Sequence, residues 1–210
     1  MSKLFRRLSI VLGAVALLTT AAPEARAQSR WTIEGQGGIA VPTGDLADLE
    51  DVGAGFGIGI AYWVHPRIAI RVDGDADILS GVDAEGALPE APDLNIFHYT
   101  AGVSVRLLDP EATRWTLNLN AGAGGSTIDA DDFTVSGTTV DFSETYFALN
   151  GGLTIGYDVG PNVNVFVGGE AFVVFSDEDD TVVFSQLRSD VEPFDTAVTI
   201  PITAGIRVRL

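Results

Sequence analysis

The chain has 210 residues, no cysteine, two histidines and a formal net charge of −17 at pH 7. A surface this acidic repels nucleic acid and favours cations or cationic partners. Two histidines without cysteine do not make an ordinary zinc site, and after residue 27 the chain contains no lysine, which excludes a P-loop.

Residues 1–27 have the pattern of an export signal. Three basic residues precede an apolar run over 8–22, and a run of about fifteen residues is too short for a comfortable transmembrane helix. Ala25 and Ala27 form a small-x-small cleavage site. We therefore expect residues 28–210 to form one exported domain.

Eight later segments alternate apolar and polar residues with a period of two, which predicts β-strands with one apolar face. They cover residues 30–41, 53–64, 68–80, 94–108, 115–127, 145–159, 162–176 and 196–210. Pro201 lies inside the last segment and predicts a bulge or an unpaired position there.

The connections alternate strictly between long and short. The long ones are acidic and cover 42–52, 81–93, 128–144 and 177–195, whereas the short ones cover 65–67, 109–114 and 160–161. This alternation predicts an up-and-down barrel with every short turn at one end and every long loop at the other, as in outer-membrane barrels.

The second face of the strands is rich in glycine as well as polar residues, as Gly55, Gly57 and Gly59 show. Glycine weakens a strand, but the interior of an eight-stranded barrel has room only for small residues around a few large ones. Aromatic residues also group near both strand ends, as membrane interfaces favour. We therefore predict that the apolar face contacts lipid; a soluble lipocalin-like barrel with that face inward is the alternative.

These features resemble the small eight-stranded outer-membrane barrels of the OmpA and OmpX type. The C-terminal segment PITAGIRVRL is similar to their barrel-assembly signal, matched at Thr203, Gly205, Val208 and Leu210, with leucine at the final position where an aromatic residue is usual. The resemblance implies an all-β, eight-stranded antiparallel up-and-down transmembrane barrel in the outer membrane of a Gram-negative-type bacterium. It also implies contact with outer-membrane lipid, lipopolysaccharide and the barrel-assembly machinery. We expect a monomer without a cofactor.

Strand parity predicts a set of charged side chains inside the barrel. The set comprises Glu34, Arg71, Asp73, Asp75, Asp77, Arg106, Asp158, Glu170, Arg207 and Arg209. Closure places the first strand beside the last, so Glu34 is expected to approach Arg207 or Arg209, and Arg71 and Arg106 to meet the lower acids. Enclosed charges have to be paired or hydrated. We favour a polar plug that fills the barrel over the alternative, an ion path gated by switching ion pairs.

Acidic residues crowd the long loops. Divalent cations bridging to lipopolysaccharide are one hypothesis, since oxygen-rich clusters suit Ca²⁺ or Mg²⁺. The candidate ligands are Asp129, Asp131, Asp132, Asp177, Asp179 and Asp180. A solvated, repulsive cell surface is the interpretation we favour.

Signals for catalysis are weak. His98 is predicted to point into the lumen as a hydrogen-bonded structural group, and the sequence around it offers no matching serine. The predicted function is therefore a structural or surface-interaction role without catalysis. A barrel enzyme that modifies lipid A is a further alternative.

Overall fold

A computed structural model of the chain describes residues 30–82, 91–108, 112–135, 138–176 and 195–210. The side chains of residues 131–135, 138, 140 and 141 lie outside this description. The predicted export signal, with Ala25 and Ala27, also lies outside the described residues, and its cleavage stays a prediction.

Eight β-strands form a closed barrel in which each strand pairs antiparallel with the next and the last pairs with the first. The strands are β1 (Trp31–Thr43), β2 (Glu50–His65), β3 (Ile68–Gly81), β4 (Leu94–Arg106), β5 (Trp115–Val135), β6 (Thr138–Asp158), β7 (Val163–Phe175) and β8 (Thr196–Arg209). The predicted all-β, eight-stranded antiparallel barrel is confirmed.

Two of the predicted long loops have regular structure instead. The connection at 42–52 contains a 3-10 helix (Gly44–Asp48), and β2 already begins at Glu50. The connection at 128–144 is mostly strand, because β5 and β6 continue as a paired hairpin beyond the predicted ends. Threonine, valine and phenylalanine in TIDADDFTV and TTVDF favour strands, and this preference outweighs the local density of aspartates.

The apolar face of the strands points outward. Ile58 and Val72 are 69% and 60% exposed, and similar aliphatic side chains surround the barrel. This orientation contradicts the lipocalin-like alternative, in which the same face lines the interior. Among the described residues, no helix is long and apolar enough to cross a membrane.

Two aromatic belts bound this apolar wall. Near the short turns, Trp31 lies 4.9 Å from Tyr62 between ring centres, and Trp115 packs edge-on against Tyr157. The outer belt lies toward the long loops and comprises Phe56, Phe97, Tyr99, Phe147 and Phe175, all exposed. Aromatic side chains with this distribution mark the two interfaces of a membrane, so the membrane-spanning segments lie between the belts.

Beyond the outer belt, apolar side chains on β4 and β5 face the interior instead of the outside. On β4, Leu94 and Ile96 are buried inside the barrel, whereas Asn95 between them points outward. On β5, Ile128 is buried and its neighbour Asp129 pairs with Asn95 on the outer face. On these two strands the wall is thus polar outside and apolar inside at this end, as expected for β-structure surrounded by water, whereas Val52 and Ile78 stay exposed on β2 and β3.

Buried apolar side chains fill the interior at that end and form the apolar cap. The cap comprises Ala40, Leu46, Leu49, Leu79, Ala91, Leu94, Ile96, Ile128, Ala130, Phe142, Ala148, Val174 and Ala197. Leu46 enters it from the 3-10 helix and is fully buried. The part of the interior between the cap and the short turns is the lower lumen.

Pro201 is unpaired on the β7 side, which fits the predicted non-pairing position. Pairing between β7 and β8 is interrupted between Gly169 and Phe172, opposite Pro201, whereas β8 stays paired with β1 through Ala40. Because proline has no N–H to donate, the missing bonds fall on the β7 side.

Candidate functional site: the barrel interior

Four charged side chains from β1, β3 and β8 meet in the lower lumen and form the ionic cluster. Glu34 lies opposite Arg207 in the register of β1 and β8. Arg207 Nε donates to Glu34 Oε2 at 2.7 Å, and Arg71 Nη2 donates to Glu34 Oε1 at 3.0 Å. Arg71 also donates to both oxygens of Asp73, at 2.6 and 2.7 Å. Each of the four residues is less than a tenth exposed, so two buried acids are matched by two buried guanidinium groups.

Two more carboxylates in the lower lumen bond to amides. Gln36 Nε2 donates to Asp75 Oδ1 at 2.9 Å, and Asn150 Nδ2 donates to Glu170 Oε1. Gln36 Oε1 in turn accepts from Thr203 Oγ1 at 3.0 Å. Sequence reasoning misses Gln36 and Asn150 because parity identifies the inward face of a strand but not which opposing side chains touch.

The arginines nearest the short turns have separate partners. Arg209 Nη2 donates to Asp158 at 2.8 and 3.0 Å, which leaves Glu34 to Arg207. The Arg106 guanidinium lies over the ring of Trp63, 4.3 Å from its centre, and its buried Nε has no hydrogen-bond partner within the described structure. Arg106 therefore departs from the expectation that it meets the lower acids, because the inward ring of Trp63 offers it a cation–π contact.

His98 lies between a serine and an aspartate at the boundary between the lower lumen and the cap. Its Nδ1 is 2.6 Å from Ser126 Oγ, and its Nε2 is 3.3 Å from Asp77 Oδ2, which also accepts from Thr199 Oγ1 at 2.7 Å. The imidazole stacks on Phe172 with 4.0 Å between ring centres.

The expectation that no serine matches His98 is wrong. Ser126 is directly opposite His98 in the register of β4 and β5. That register depends on where the two strands pair, which the local sequence around His98 does not show.

Glycines on β2 provide the space that the aspartates of β3 occupy. A Cβ at Gly57 would lie 1.9 Å from Asp75 Oδ1, and one at Gly59 would lie 2.4 Å from Asp73 Oδ1. Any side chain at these two positions would displace a carboxylate from its hydrogen-bond partner. The glycine-rich inner face is thus part of the ionic cluster's construction.

The void that borders the ionic cluster is small. A void of about 10 Å³ lies among Glu34, Trp63, Ser104 and Arg207, which is room for about one water molecule. Above it, the apolar cap packs across the described interior. The expected polar lumen is therefore limited to the lower half of the barrel.

One acid borders the cap outside the membrane-spanning segments. Glu50 is the first residue of β2, six positions beyond Phe56 of the outer belt, and its side chain is only 2% exposed. Burial raises the pKa of Glu50 to about 9, and the nearby Asp93 carboxylate adds to the rise. Glu50 is consequently neutral at pH 7.

Most of the proposed cation ligands fall outside the description. Asp129 is on the outer face of β5; Asp131 and Asp132 belong to the same strand, but their side chains lie outside the described part. Asp177, Asp179 and Asp180 lie outside the described residues altogether. Among the residues that are described, no group of three or more acidic or histidine side chains is placed to hold a metal ion. The cation hypothesis stays a prediction.

The proposed barrel-assembly residues are all in or next to β8. Thr203 faces the interior, and Gly205 closely approaches Phe166, whose ring lies 4.7 Å from the Arg207 guanidinium. Leu210 is half exposed, and its N–H donates to the Trp31 carbonyl at 3.1 Å. Their role in assembly stays a prediction.

Comparisons with known proteins identify the fold. No protein-family model and no curated protein matches the chain. Among solved structures, neisserial surface protein A matches with a TM-score of 0.58 and 17% identity, over 87% of this chain and 98% of that one. A major outer membrane protein from Thermus thermophilus matches with a TM-score of 0.54 and 9% identity, over 86% and 99% of the two chains. The chain has the fold of the small eight-stranded outer-membrane β-barrels of the OmpA and OmpX type.

Proposed function

We propose that this chain is a closed outer-membrane barrel with a structural and surface-interaction role and without catalytic activity. The observation that carries the proposal is the filled interior. The ionic cluster occupies the lower lumen, and the apolar cap occupies the space above it. An ion crossing the barrel would have to lose its hydration within the cap, which costs several kcal/mol or more.

The surface role follows from the charge of the long-loop end. Asp45, Asp48 and Asp51 are exposed there, and the remaining long connections are acidic as well. Such a surface suits cationic partners, or divalent cations that bridge to lipopolysaccharide. We propose outer-membrane lipid and lipopolysaccharide as the surroundings of the barrel, the barrel-assembly machinery as the route to them, and a monomer as the working state.

A lipid A-modifying enzyme is favoured by one observation, the contact of His98 with Ser126 and Asp77. The same three groups recur in serine hydrolases, in which the serine attacks an ester. Here Ser126 is fully buried and His98 is 2% exposed inside the barrel, whereas lipid lies outside the wall. A nucleophile has to reach its substrate, so we propose that the three residues stabilise the boundary below the cap.

Planar-bilayer recordings test the closed-barrel proposal. The protein is first shown to be inserted by its mobility shift between unheated and heated gel samples. We expect no sustained large conductance from inserted protein. A stable, large conductance would overturn the proposal. In parallel, the lipid A profile of cells carrying His98→Ala should match that of wild-type cells, and an altered profile would favour the enzyme.

Titration with Ca²⁺ tests the loop hypothesis separately. Bridging cations would raise the thermal stability of the purified barrel by mass action. An unchanged unfolding temperature at millimolar Ca²⁺ would leave the solvated acidic surface as the explanation of the loop charges.

A further inference from the structure

The outer wall of the barrel carries an apolar groove across β8, β1, β2 and β3. Its volume is about 500 Å³, and aliphatic side chains dominate its lining: Ile33, Ile58, Ile60, Val72, Ile206 and Leu210. Gly35 and Gly74 also line it. In the strand register, Ile58 lies between these two glycines. The side chain of Ile58 therefore forms a ridge with a hollow on each side.

The two hollows are open to the surroundings of the barrel. A Cβ built at Gly35 or Gly74 would meet no atom within 4 Å. Both glycines are therefore unlike Gly57 and Gly59, which make room for aspartates inside the barrel. Glycine weakens a strand and often marks a place where a ligand approaches the backbone closely. Nothing described inside the protein requires glycine at these two outward positions.

The groove lies in the half of the wall near the short turns. Trp31 and Tyr62, the aromatic pair of the belt near the short turns, lie beside its lower end, and Leu210 is at that end. Outer-membrane barrels place their short turns on the periplasmic side. The groove therefore faces the hydrocarbon of the periplasmic leaflet, where the available apolar ligands are acyl chains.

Charge at the end of the groove favours a phospholipid. Arg30 is exposed and directly precedes Trp31 on the strand that carries Gly35, so it lies beyond the belt at headgroup level. Arg67 and Arg114 are exposed at the same end of the barrel, whereas the exposed aspartates of the 3-10 helix are at the other. The acidic end faces the outer leaflet, which holds lipopolysaccharide. The arginines lie at the opposite end, where they can bind the phosphate of a periplasmic-leaflet lipid.

We propose that the groove binds one acyl chain of a glycerophospholipid of the periplasmic leaflet, with the lipid phosphate at Arg30. This inference rests on the proposed membrane placement of the barrel. The chain lies along the hollows beside Ile58, where it contacts backbone as well as aliphatic side chains. Close packing rather than the hydrophobic effect provides the preference, since the competing surroundings are also lipid.

Native mass spectrometry of barrels released from nanodiscs containing phosphatidylethanolamine and phosphatidylglycerol measures the retained phospholipid. The double variant Gly35→Leu/Gly74→Leu fills both hollows, and we expect retained lipid to fall about fivefold. The matched control is Gly151→Leu/Gly169→Leu on another part of the wall, where the nearest atom to an added Cβ is 3.9 Å away. The control should retain lipid like the wild type. Equal loss in both double variants, or loss in neither, would overturn the proposal.

The headgroup contact has its own pair of variants. Arg30→Gln should lower retention about threefold for both lipid classes, because both carry the phosphate. Arg114→Gln removes a charge from the same end but away from the groove. Arg114 directly precedes β5 and donates to the carbonyl of Asp158, the last residue of β6, at 2.6 Å. Arg114→Gln should leave retention unchanged. Equal effects of the two variants would mean that the lipid responds to the total positive charge at this end of the barrel, and would overturn the proposed contact between Arg30 and the phosphate.

A photoreactive phospholipid tests the wild-type barrel directly, so the proposal does not depend on the folding of any variant. A lipid with a diazirine in the middle of one acyl chain should label peptides that contain Ile58 or Val72 well above those that contain Leu119 or Leu153. Even labelling around the wall would overturn the groove. If the wild type formed dimers and Gly35→Leu/Gly74→Leu were monomeric without any loss of lipid, the groove would instead bind a second copy of the chain. Wild-type protein that does not float with vesicles would contradict the membrane placement itself, a result separate from all the others.

Discussion

The lower lumen and the apolar cap are lined by the same strands but built from opposite chemistry. Below, Glu34, Asp73, Arg71 and Arg207 neutralise one another in an interior walled by glycine. Above, leucine, isoleucine and phenylalanine side chains pack against each other around Leu46. The difference follows the surroundings. Where lipid covers the wall, apolar side chains face outward, and where water covers it, they face inward.

This reversal changes what holds each half together. The cap is stabilised by apolar surface removed from water, as in a soluble protein. Around the lower lumen, the apolar side chains face lipid and form no core with the interior, so pairing of the enclosed charges decides whether that interior is stable. Charge should therefore stabilise one half and destabilise the other, and substitutions in each half test this contrast.

The largest effect is expected from Glu34→Gln. The substitution leaves Arg207 without its carboxylate partner and Arg71 with Asp73 only. Removing one member of a buried ion pair costs about 3 kcal/mol or more, because the remaining charge stays enclosed. Urea unfolding of the vesicle-inserted barrel, followed by tryptophan fluorescence, measures the loss. Glu144→Gln, at an exposed position, is the control and should change stability by less than about 0.5 kcal/mol.

A smaller loss is expected from Leu46→Ala in the cap. Leu46 is fully buried and anchors the 3-10 helix over the barrel opening. Truncating a buried leucine costs the lost transfer free energy plus that of the cavity, about 2 to 3 kcal/mol at a site that can partly collapse. Leu149→Ala removes the same atoms from the lipid-facing wall, where acyl chains fill the space that is left, so it should lose the transfer term without the cavity term and cost less than Leu46→Ala in the same unfolding assay. Equal losses would mean that Leu46→Ala leaves no cavity in the cap.

The strand pattern predicts most of this architecture but not the contents of the interior. Alternation, connection lengths and the glycine-rich face predict eight strands, their order and the outward apolar wall. Glu34 and Arg207 are predicted to be neighbours because closure of the barrel forces β1 against β8. The contacts of His98 with Ser126 and of Arg106 with Trp63 depend on register, which is set by pairing across the whole sheet.

The cap is missed for a different physical reason. A period of two has the same strength whether the apolar residues face in or out. Leu94, Ile96 and Ile128 follow the alternation, but they share the parity of His98 and Ser126 rather than that of Phe97. Only the change of surroundings from lipid to water gives the pattern its direction. Comparing parity below and above the outer aromatic belt would have revealed the reversal.

The next prediction contrasts two glycines of the same wall. Gly57→Ala places a Cβ 1.9 Å from Asp75 Oδ1, whereas Gly74→Ala places one where no atom lies within 4 Å. Overpacking an enclosed site costs about 1 to 3 kcal/mol, and we expect about 2 kcal/mol for Gly57→Ala. Gly74→Ala should be neutral or slightly stabilising in the unfolding assay, since alanine restricts the unfolded chain more than glycine does. Similar values for both would contradict the proposed packing of aspartates against glycine.

The smallest effect is expected from Glu50→Gln and appears as a change in pH dependence. The pKa of Glu50 is about 9 in the folded barrel against an ordinary value of 4.5. Between these values the folded state holds a proton that the unfolded state has released. The free energy of unfolding therefore falls as pH rises through this window, by up to about 1.4 kcal/mol per pH unit. Glutamine stays neutral and removes this contribution.

Between pH 7 and 8, the wild type should accordingly lose about 1 kcal/mol more stability than Glu50→Gln. Subtracting the two profiles cancels the contributions of the ionisable groups that both proteins share. Asp48→Asn, at an exposed position of the 3-10 helix, should keep the wild-type slope. A parallel profile for Glu50→Gln would mean that a charge is tolerated beside the cap. A flatter stability profile for Glu50→Gln would show that ionisation opposes folding in the half of the barrel outside the membrane. The stability loss in Glu34→Gln would show that ionisation supports folding in the half inside the membrane.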